Sequence, residues 1–393
     1  MTALNILHIT PYYAPASAYG GVVSAVTGLT AAQAARGHHV KVLTTDSLGP
    51  TERSTTAHEW IDGVDVIRCR NVSNAIRWRY NLSQPVGFRN AFRRLIQTAD
   101  IVHTHELRTV ENLLINHEKP IVLSPHGTLS HGTGRSKVKQ MWDSLFGRML
   151  LRQIDHVAAL TDNEADEARA LWTALGVPFP GVSIIPNGVP QDFAVSGNLR
   201  PRYGLGDGPV VLFLGRLHER KGLQFLIPAF AQVAQDVPDA RLLIVGPDEG
   251  MLSIAKTLAE QGGIGPRVTF TGLLQGADQR AALASADIFV LPAVGEGLSI
   301  AALEAMAAGL PVILTPGCNL PDVEQHGAGL LVQRDVPSIA AALRTLLQDS
   351  SGRINRGEKG RAWVREKFTW PVIAAQTDEF YTELISRKNL LYS

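Results

Sequence analysis

Two carboxylates eight positions apart, Glu296 and Glu304, lie in "GEGLSIAALEAM" (295–306), directly after the apolar run "DIFVLPAV". Glu296 falls in the turn after that run, and Glu304 sits among Ala, Leu, Ile and Met, which predicts burial. A buried carboxylate needs a partner. The vicinal hydroxyls of a sugar or ribose are one such partner, since each can donate a hydrogen bond; a helix-start acid and a satisfied structural acid explain the pattern as well. In "LGRLHERKG" (214–222), Arg216 stands one residue past a strand end and Lys221 starts the next helix, a placement that suits a diphosphate. Solvated surface cations are the alternative, and His218, Glu219 and Arg220 are expected to face water. The helix start near Leu298 and Ser299, after Gly297, offers free N–H groups as a second anion site. Gly20 and Gly21 end the loop "TPYYAPASAYGG" at another helix start, where they serve either an anion or a tight turn. "LSPHGTLSHGTG" supplies His126 at a strand's carboxyl end and His131 beyond it, while "DIVHTHE" places His103 and His105 one strand over. His126 is the strongest functional candidate of these; a lone histidine is otherwise more often structural.

Several chemistries lack their residues. There is no G-x-G-x-x-G, P-loop or G-x-S-x-G elbow, no D-x-D in a strand-end loop, and no spacing of His, Cys and carboxylate typical of a metal site. Cys69 and Cys318 are far apart and outside any C-x-x-C, so reduced thiols are expected. The formal charge of +1 disfavours nucleic acid as a partner, and 45% hydrophobic with 19% charged residues is an ordinary globular balance. No apolar run reaches the roughly 18–20 residues of a membrane span. The start "MTALNILHIT" reads as a strand and not as a signal peptide, so a cytoplasmic protein is expected.

The elements that must position these groups alternate. Short β-branched runs at 5–10, 39–45, 64–69, 100–105, 121–125, 156–161 and 182–187 are separated by helical stretches, including a helix over 20–37. The Gly- and Pro-rich stretch 194–209 follows, and the pattern begins again. Strands are predicted at 210–215, 241–246, 267–272, 287–292 and 311–316, with helices over 222–235, near 250–261 and 278–286, and around Glu304. The fold class is therefore α/β: two doubly wound, Rossmann-like domains, each a parallel sheet with helices on both faces. Domains are expected at 1–190 and 191–370, with a final helix at 371–393 returning to the first. Ligands of such sheets bind beyond the carboxyl ends of the strands, and all the candidate groups above fall there.

Taken together, the chain resembles the retaining glycosyltransferases of the GT-B fold, in family 4. "GEGLSIAALEAMAAGLPVI" is similar to that family's E-x7-E segment, "FLGRLHERKG" to its diphosphate-binding Arg and Lys, "SPHG" to its first-domain histidine, "IIPNGV" to its entry into the second domain and "YGGV" to its glycine loop. The resemblance runs from residue 5 to about 390. It implies a metal-independent hexosyltransferase whose co-substrate is a nucleotide-diphosphate sugar, with no cofactor. Glu304 would accept from ribose hydroxyls, the turn "TGLL" with Leu273 and Leu274 would meet the base, and Arg216, Lys221 and the amides near Ser299 would neutralise the diphosphate. Glu296 would hold sugar hydroxyls, and His126 would position the sugar from the first domain. Gly297, Leu298 and Ser299 stand where the family most often has Gly-Phe-Gly, which bears on the choice of sugar.

On the acceptor side the resemblance points to a glycan, glycolipid or lipid-linked precursor, with Tyr19, His105 and His131 as candidate contacts. Residues 66–99 hold seven arginines and no acid, interleaved with Trp78, Tyr80, Phe88 and Phe92, and "GRSKVKQMWDSLFGRMLLRQ" (134–153) has a similar character. Such segments suit the headgroups of an anionic membrane, so peripheral attachment through the first domain is expected; arginines scattered over a solvated surface are the other reading. A nucleotide-sugar epimerase and a non-catalytic GT-B binding subunit are the rival functions.

Overall fold

The computed structural model describes residues 2–115, 118–132 and 136–392. The chain forms two compact units, one from residues up to Gly188 together with those from Trp370 onward, the other from Val189–Thr369.

In the first unit the strands are β1 (Asn5–Ile9), β2 (His39–Thr45), β3 (His58–Ile61), β4 (Val64–Cys69), β5 (Ile101–His105), β6 (Ile121–Ser124), β7 (His156–Ala159) and β8 (Val182–Ile184). They form one sheet in the order β3-β4-β2-β1-β5-β6-β7-β8, parallel except for the β3–β4 pair. That hairpin turns through Asp62 and Gly63, both with positive φ, as a two-residue turn requires. β3 was not anticipated: as a strand at the sheet's edge it buries neither face fully, and its Trp60 is exposed. The expected helix over 20–37 runs Gly21–Ala35. One face of the sheet is covered partly by that helix and by the helix Trp370–Tyr392, whose Ile373, Ala374, Phe380, Tyr381 and Leu384 join Ile6, Val26, Val40 and Val66 in one apolar cluster. Gly28 and Gly188 leave the space that the Trp370 indole occupies, since a Cβ would come within 2.1 Å of it at Gly28 and 2.8 Å at Gly188.

The strands of the second unit are β9 (Val210–Leu214), β10 (Arg241–Val245), β11 (Val268–Gly272), β12 (Ile288–Leu291), β13 (Val312–Leu314) and β14 (Gly329–Leu331), all parallel, in the order β11-β10-β9-β12-β13-β14. β9 and β12 are buried at every residue, as parallel strands covered on both faces must be. β14 is another unanticipated edge strand, only three residues long. The stretch 194–209 belongs to this unit: Leu199 N–H donates to Ser285 Oγ, and the Arg200 guanidinium pairs with Asp287. Among the described residues no helix is long and apolar enough to cross a membrane. Both cysteines are buried and free.

Candidate functional site

In the second unit, β9 and β12 are neighbours, and the loops leaving their carboxyl ends carry the charged groups. Gly222, with φ 84°, lets the first loop pass against the second, because a Cβ there would lie 2.2 Å from the Pro292 carbonyl oxygen. This brings Lys221 Nζ to 2.8 Å from the Glu296 carboxylate, with both side chains mostly buried. Arg216 projects from the same loop and is exposed, its guanidinium 2.9 Å from both carboxylate oxygens of Glu249. Such an exposed ion pair contributes at most about 1 kcal/mol and is readily exchanged for another anion.

The turn before the helix Ile300–Ala307 is pinned from behind. Glu296 N–H donates to the Gly317 carbonyl (3.0 Å), and Asn319 Nδ2 donates to the carbonyls of Glu296 (2.6 Å) and Gly297 (3.0 Å). Leu298 is buried. Ser299 is the helix cap, its Oγ accepting from Ala302 N–H, and its own N–H donates to the Cys318 carbonyl. Its polar groups are thus committed to the fold, and the helix's anion-binding capacity lies in the next amides, Ile300 and Ala301. Glu304 lies within the helix and accepts from Gln279 Nε2 (2.9 Å); burial pushes its carboxyl up to about 7. After β11, Leu273 is exposed while Leu274 turns into the interior, so of the two only Leu273 offers an accessible apolar surface.

Arg220 does not face water as expected. Its guanidinium donates to the Gly295 carbonyl, its N–H donates to His218 Nδ1 (3.1 Å), and its carbonyl accepts from Val294 N–H. Arg334 adds a second clamp, donating to the carbonyls of Pro292 (2.9 Å) and Glu219 (2.8 Å). Neither Gln279 nor Arg334 was singled out from the sequence. Both reach the site from other segments, and no local motif marks them.

In the first unit, His126 follows β6 in the left-handed region, φ 55°. The carboxyl of Glu164 holds this turn by accepting from Gly127 N–H and from Leu160 N–H (2.7 Å). His126 Nε2 lies 2.9 Å from His105 Nδ1, and its Nδ1 is buried without a hydrogen-bond partner. Burial pulls the imidazole down to about 4, so it is neutral near pH 7. His105 is not at the surface as an acceptor contact would be; it is buried behind His126 and beside His8 and His103. Nitrogens of these three lie within 4.8 Å of one another, a cluster no spacing in the sequence announced. Every ring nitrogen of His8, His103 and His105 has a hydrogen-bonding partner, among Gln33, Tyr381, Ser124, His126 and one another, so the three rings belong to one hydrogen-bonded network.

The other candidates of this unit are placed as follows. Gly20, φ 82°, precedes Gly21 at the start of the helix Gly21–Ala35, with no side chain capping it. Tyr19 stacks on Tyr12, with the Arg77 guanidinium over both rings, and its hydroxyl bonds Ser47 Oγ at 2.6 Å. His131, partly exposed, is engaged by Asp143 (2.7 Å), which also pairs with Arg108. Of the seven arginines in 66–99, Arg68 and Arg77 are buried, Arg68 paired with Glu59; Arg70, Arg79, Arg89, Arg93 and Arg94 are exposed. In the second basic segment Gly134 and Arg135 lie outside the described residues. Over 136–153, Val138, Met141, Leu145 and Met149 are exposed at helical spacing.

Residues 19–193 match the family described as Glycosyltransferase Family 4, and residues 208–349 match that described as Glycosyl transferases group 1. A GDP-mannose-dependent alpha-(1-6)-phosphatidylinositol monomannoside mannosyltransferase of Mycobacterium tuberculosis is 34% identical over 254 residues, which are 61% of this chain and 66% of that protein. The phosphatidyl-myo-inositol mannosyltransferase of the same organism is 30% identical over 378 residues, covering 92% and 93% of the two chains. Among solved structures, the sucrose-phosphate synthase of Thermosynechococcus elongatus superposes with a TM-score of 0.73 at 22% identity, covering 98% of this chain and 100% of that one. Anabaena Alr3699/HepE in complex with UDP-glucose gives 0.73 at 18% identity, covering 97% and 100%. At these identities the structural likeness establishes the fold, GT-B.

Proposed function

We propose, from the premise that this chain belongs to the group 1, family 4 glycosyltransferases, that it moves a hexose from a nucleotide-diphosphate sugar to a hydroxyl of a lipid-linked acceptor, with retention of configuration and without a metal. The observation that carries this reading is the corner where Arg216, Lys221 and the open end of the helix Ile300–Ala307 accompany two carboxylates, Glu296 and Glu304. Cations and amides serve the diphosphate, and carboxylates serve hydroxyls. Relatives named for GDP-mannose and phosphatidylinositol make GDP-mannose the first donor to test and an inositol lipid the first acceptor.

Glu304 accepts from the ribose hydroxyls and Leu273 lies against the base. Arg216 exchanges Glu249 for the diphosphate, and Lys221, held by Glu296, adds a point charge. The bond between the anomeric carbon and the phosphate oxygen breaks with its electron pair left on the phosphate, where the cations and the Ile300 and Ala301 amides stabilise the developing charge. The acceptor oxygen bonds the anomeric carbon from the same face, and its proton passes to the departing phosphate oxygen. On the first unit, His126 accepts from a substrate hydroxyl. The face of Val138, Met141, Leu145 and Met149, with Lys137, Arg148 and Arg152 exposed beside it, attaches the first unit to an anionic bilayer.

Thermal unfolding with GDP-mannose, UDP-glucose and the free nucleotides tests donor binding. A ligand at 100 times its Kd adds about 2.7 kcal/mol, and the gain should vanish in Glu304→Ala. NMR of the transferred product reads the anomeric configuration; an inverted product, or no stabilisation at millimolar ligand, would overturn the proposal. Co-sedimentation with phosphatidylglycerol vesicles should succeed at low salt and fail for Leu145→Glu.

A further inference from the structure

His126 is the last of a row of buried polar groups. Gln33 Oε1 lies 2.8 Å from His8 Nε2, His8 Nδ1 lies 2.9 Å from His105 Nε2, and His105 Nδ1 lies 2.9 Å from His126 Nε2. The rings of His8 and His105 stack nearly parallel, as do those of His105 and His126 within 24°. Burial lowers the proton affinity of all three, so each is neutral and carries one N–H.

The proton positions then follow from one end. A carbonyl oxygen can only accept, so His8 carries its proton on Nε2 and its Nδ1 is a lone pair. His105 must donate from Nε2 to that lone pair, leaving its own Nδ1 bare. His126 must in turn donate from Nε2. What remains at the end of the row is His126 Nδ1, buried and unpartnered.

We propose that Gln33, His8 and His105 are positioning residues that hold His126 in the Nε2–H tautomer, so that it presents a bare Nδ1 lone pair which accepts one hydrogen bond from a substrate hydroxyl and cannot donate one. This deepens the function proposed above and rests on it for the identity of the substrate that brings the hydroxyl. A neutral imidazole free in solution exchanges tautomers, and in the other tautomer its Nδ1–H would donate to the hydroxyl's oxygen and could not accept the hydroxyl's proton. Gln33, fully buried on the helix Gly21–Ala35, biases that choice through the oxygen it presents to His8, its own Nε2 being buried without a partner. Reversing its amide would invert every proton in the row, so the row has two polarities and the orientation of one side chain selects between them.

Nitrogen-15 NMR of the histidine side chains reads each tautomer directly, whether or not the chain transfers sugar. In the wild-type protein, His8, His105 and His126 should each show a protonated Nε2 and a bare Nδ1. In Gln33→Met, which removes the acceptor at nearly equal volume, the resonances of the row should shift toward a mixture of tautomers. A proton on Nδ1 of wild-type His126, a charged His126 at pH 7, or a His126 tautomer unmoved by Gln33→Met would each overturn the proposal. In the transfer assay Gln33→Met should lower kcat about tenfold, the loss of one hydrogen bond. If the NMR pattern is as expected but no donor supports transfer, the functional reading fails and the tautomer lock stands.

Discussion

Glu304 is a carboxyl whose surroundings favour its neutral form, with a single donor, Gln279, and a value raised from 4.5 to about 7 by burial. Between those values the native state holds a proton the unfolded state has lost, so the ligand-free protein is destabilised as pH rises through the window, by on the order of 3 kcal/mol in full. Glu304→Gln should therefore raise stability at pH 8, measured by urea unfolding, with the gain disappearing below about pH 4.5, while the stabilisation by nucleotide is lost. Lys221 and Arg216 separate by the same reasoning. Lys221→Met leaves Glu296 partly buried and unpaired and should lower kcat by about 10²–10³, as loss of an oxyanion donor does, whereas Glu249→Gln should leave the melting temperature within a degree or two and lower the donor KM by freeing Arg216. Arg216, Lys221 and Glu296 were legible in the sequence because each sits within a few residues of a strand end. Gln279 and Arg334 were not, since their place depends on which strands become neighbours. Ser299 was legible as a helix start, but what its hydroxyl and amide bond to was not.

Two loops from adjacent strands meet at Gly222, and this element-level contact places Lys221 against Glu296. An alanine there would combine a disfavoured left-handed φ with a methyl 2.2 Å from the Pro292 carbonyl oxygen. Gly222→Ala should cost about 2–4 kcal/mol in a denaturant titration and weaken nucleotide binding by displacing Lys221; unchanged binding would show that the pair tolerates the shift. The strands that frame this corner read plainly in the sequence because parallel strands buried on both faces are continuous apolar runs, as in Val210–Leu214 and Ile288–Leu291. The edge strands His58–Ile61 and Gly329–Leu331 lack that signal. For the first, the Asp62–Gly63 pair was a usable sign of a hairpin; the second is too short to stand out from a loop. The buried histidine network was illegible for another reason: His8, His103 and His105 lie on two strands whose adjacency follows from sheet order alone.

At the scale of the whole molecule, the alternation of short strands and helices predicted two doubly wound sheets, and both are present. The helix Trp370–Tyr392 is integral to the first, because five of its side chains lie in the apolar cluster on one face of that sheet. Trp370→Ala should cost about 3 kcal/mol, and Gly28→Val, which fills the same space from the other side, should be at least as damaging; a first unit that melts unchanged in both variants would show the indole to be dispensable. The same discontinuity has a consequence for how the chain is made. A ribosome adding about 5–20 residues per second spends on the order of 10–40 s on residues 189–369 before it reaches the first residue of that helix. Throughout this interval the nascent first sheet keeps Ile6, Val40 and Val66 without their C-terminal cover, and by its end the second unit has all of its own sequence. The sheet translated first is therefore covered only after the second unit's sequence has been made, and until the helix Trp370–Tyr392 joins it the exposed face must be shielded from other apolar surfaces.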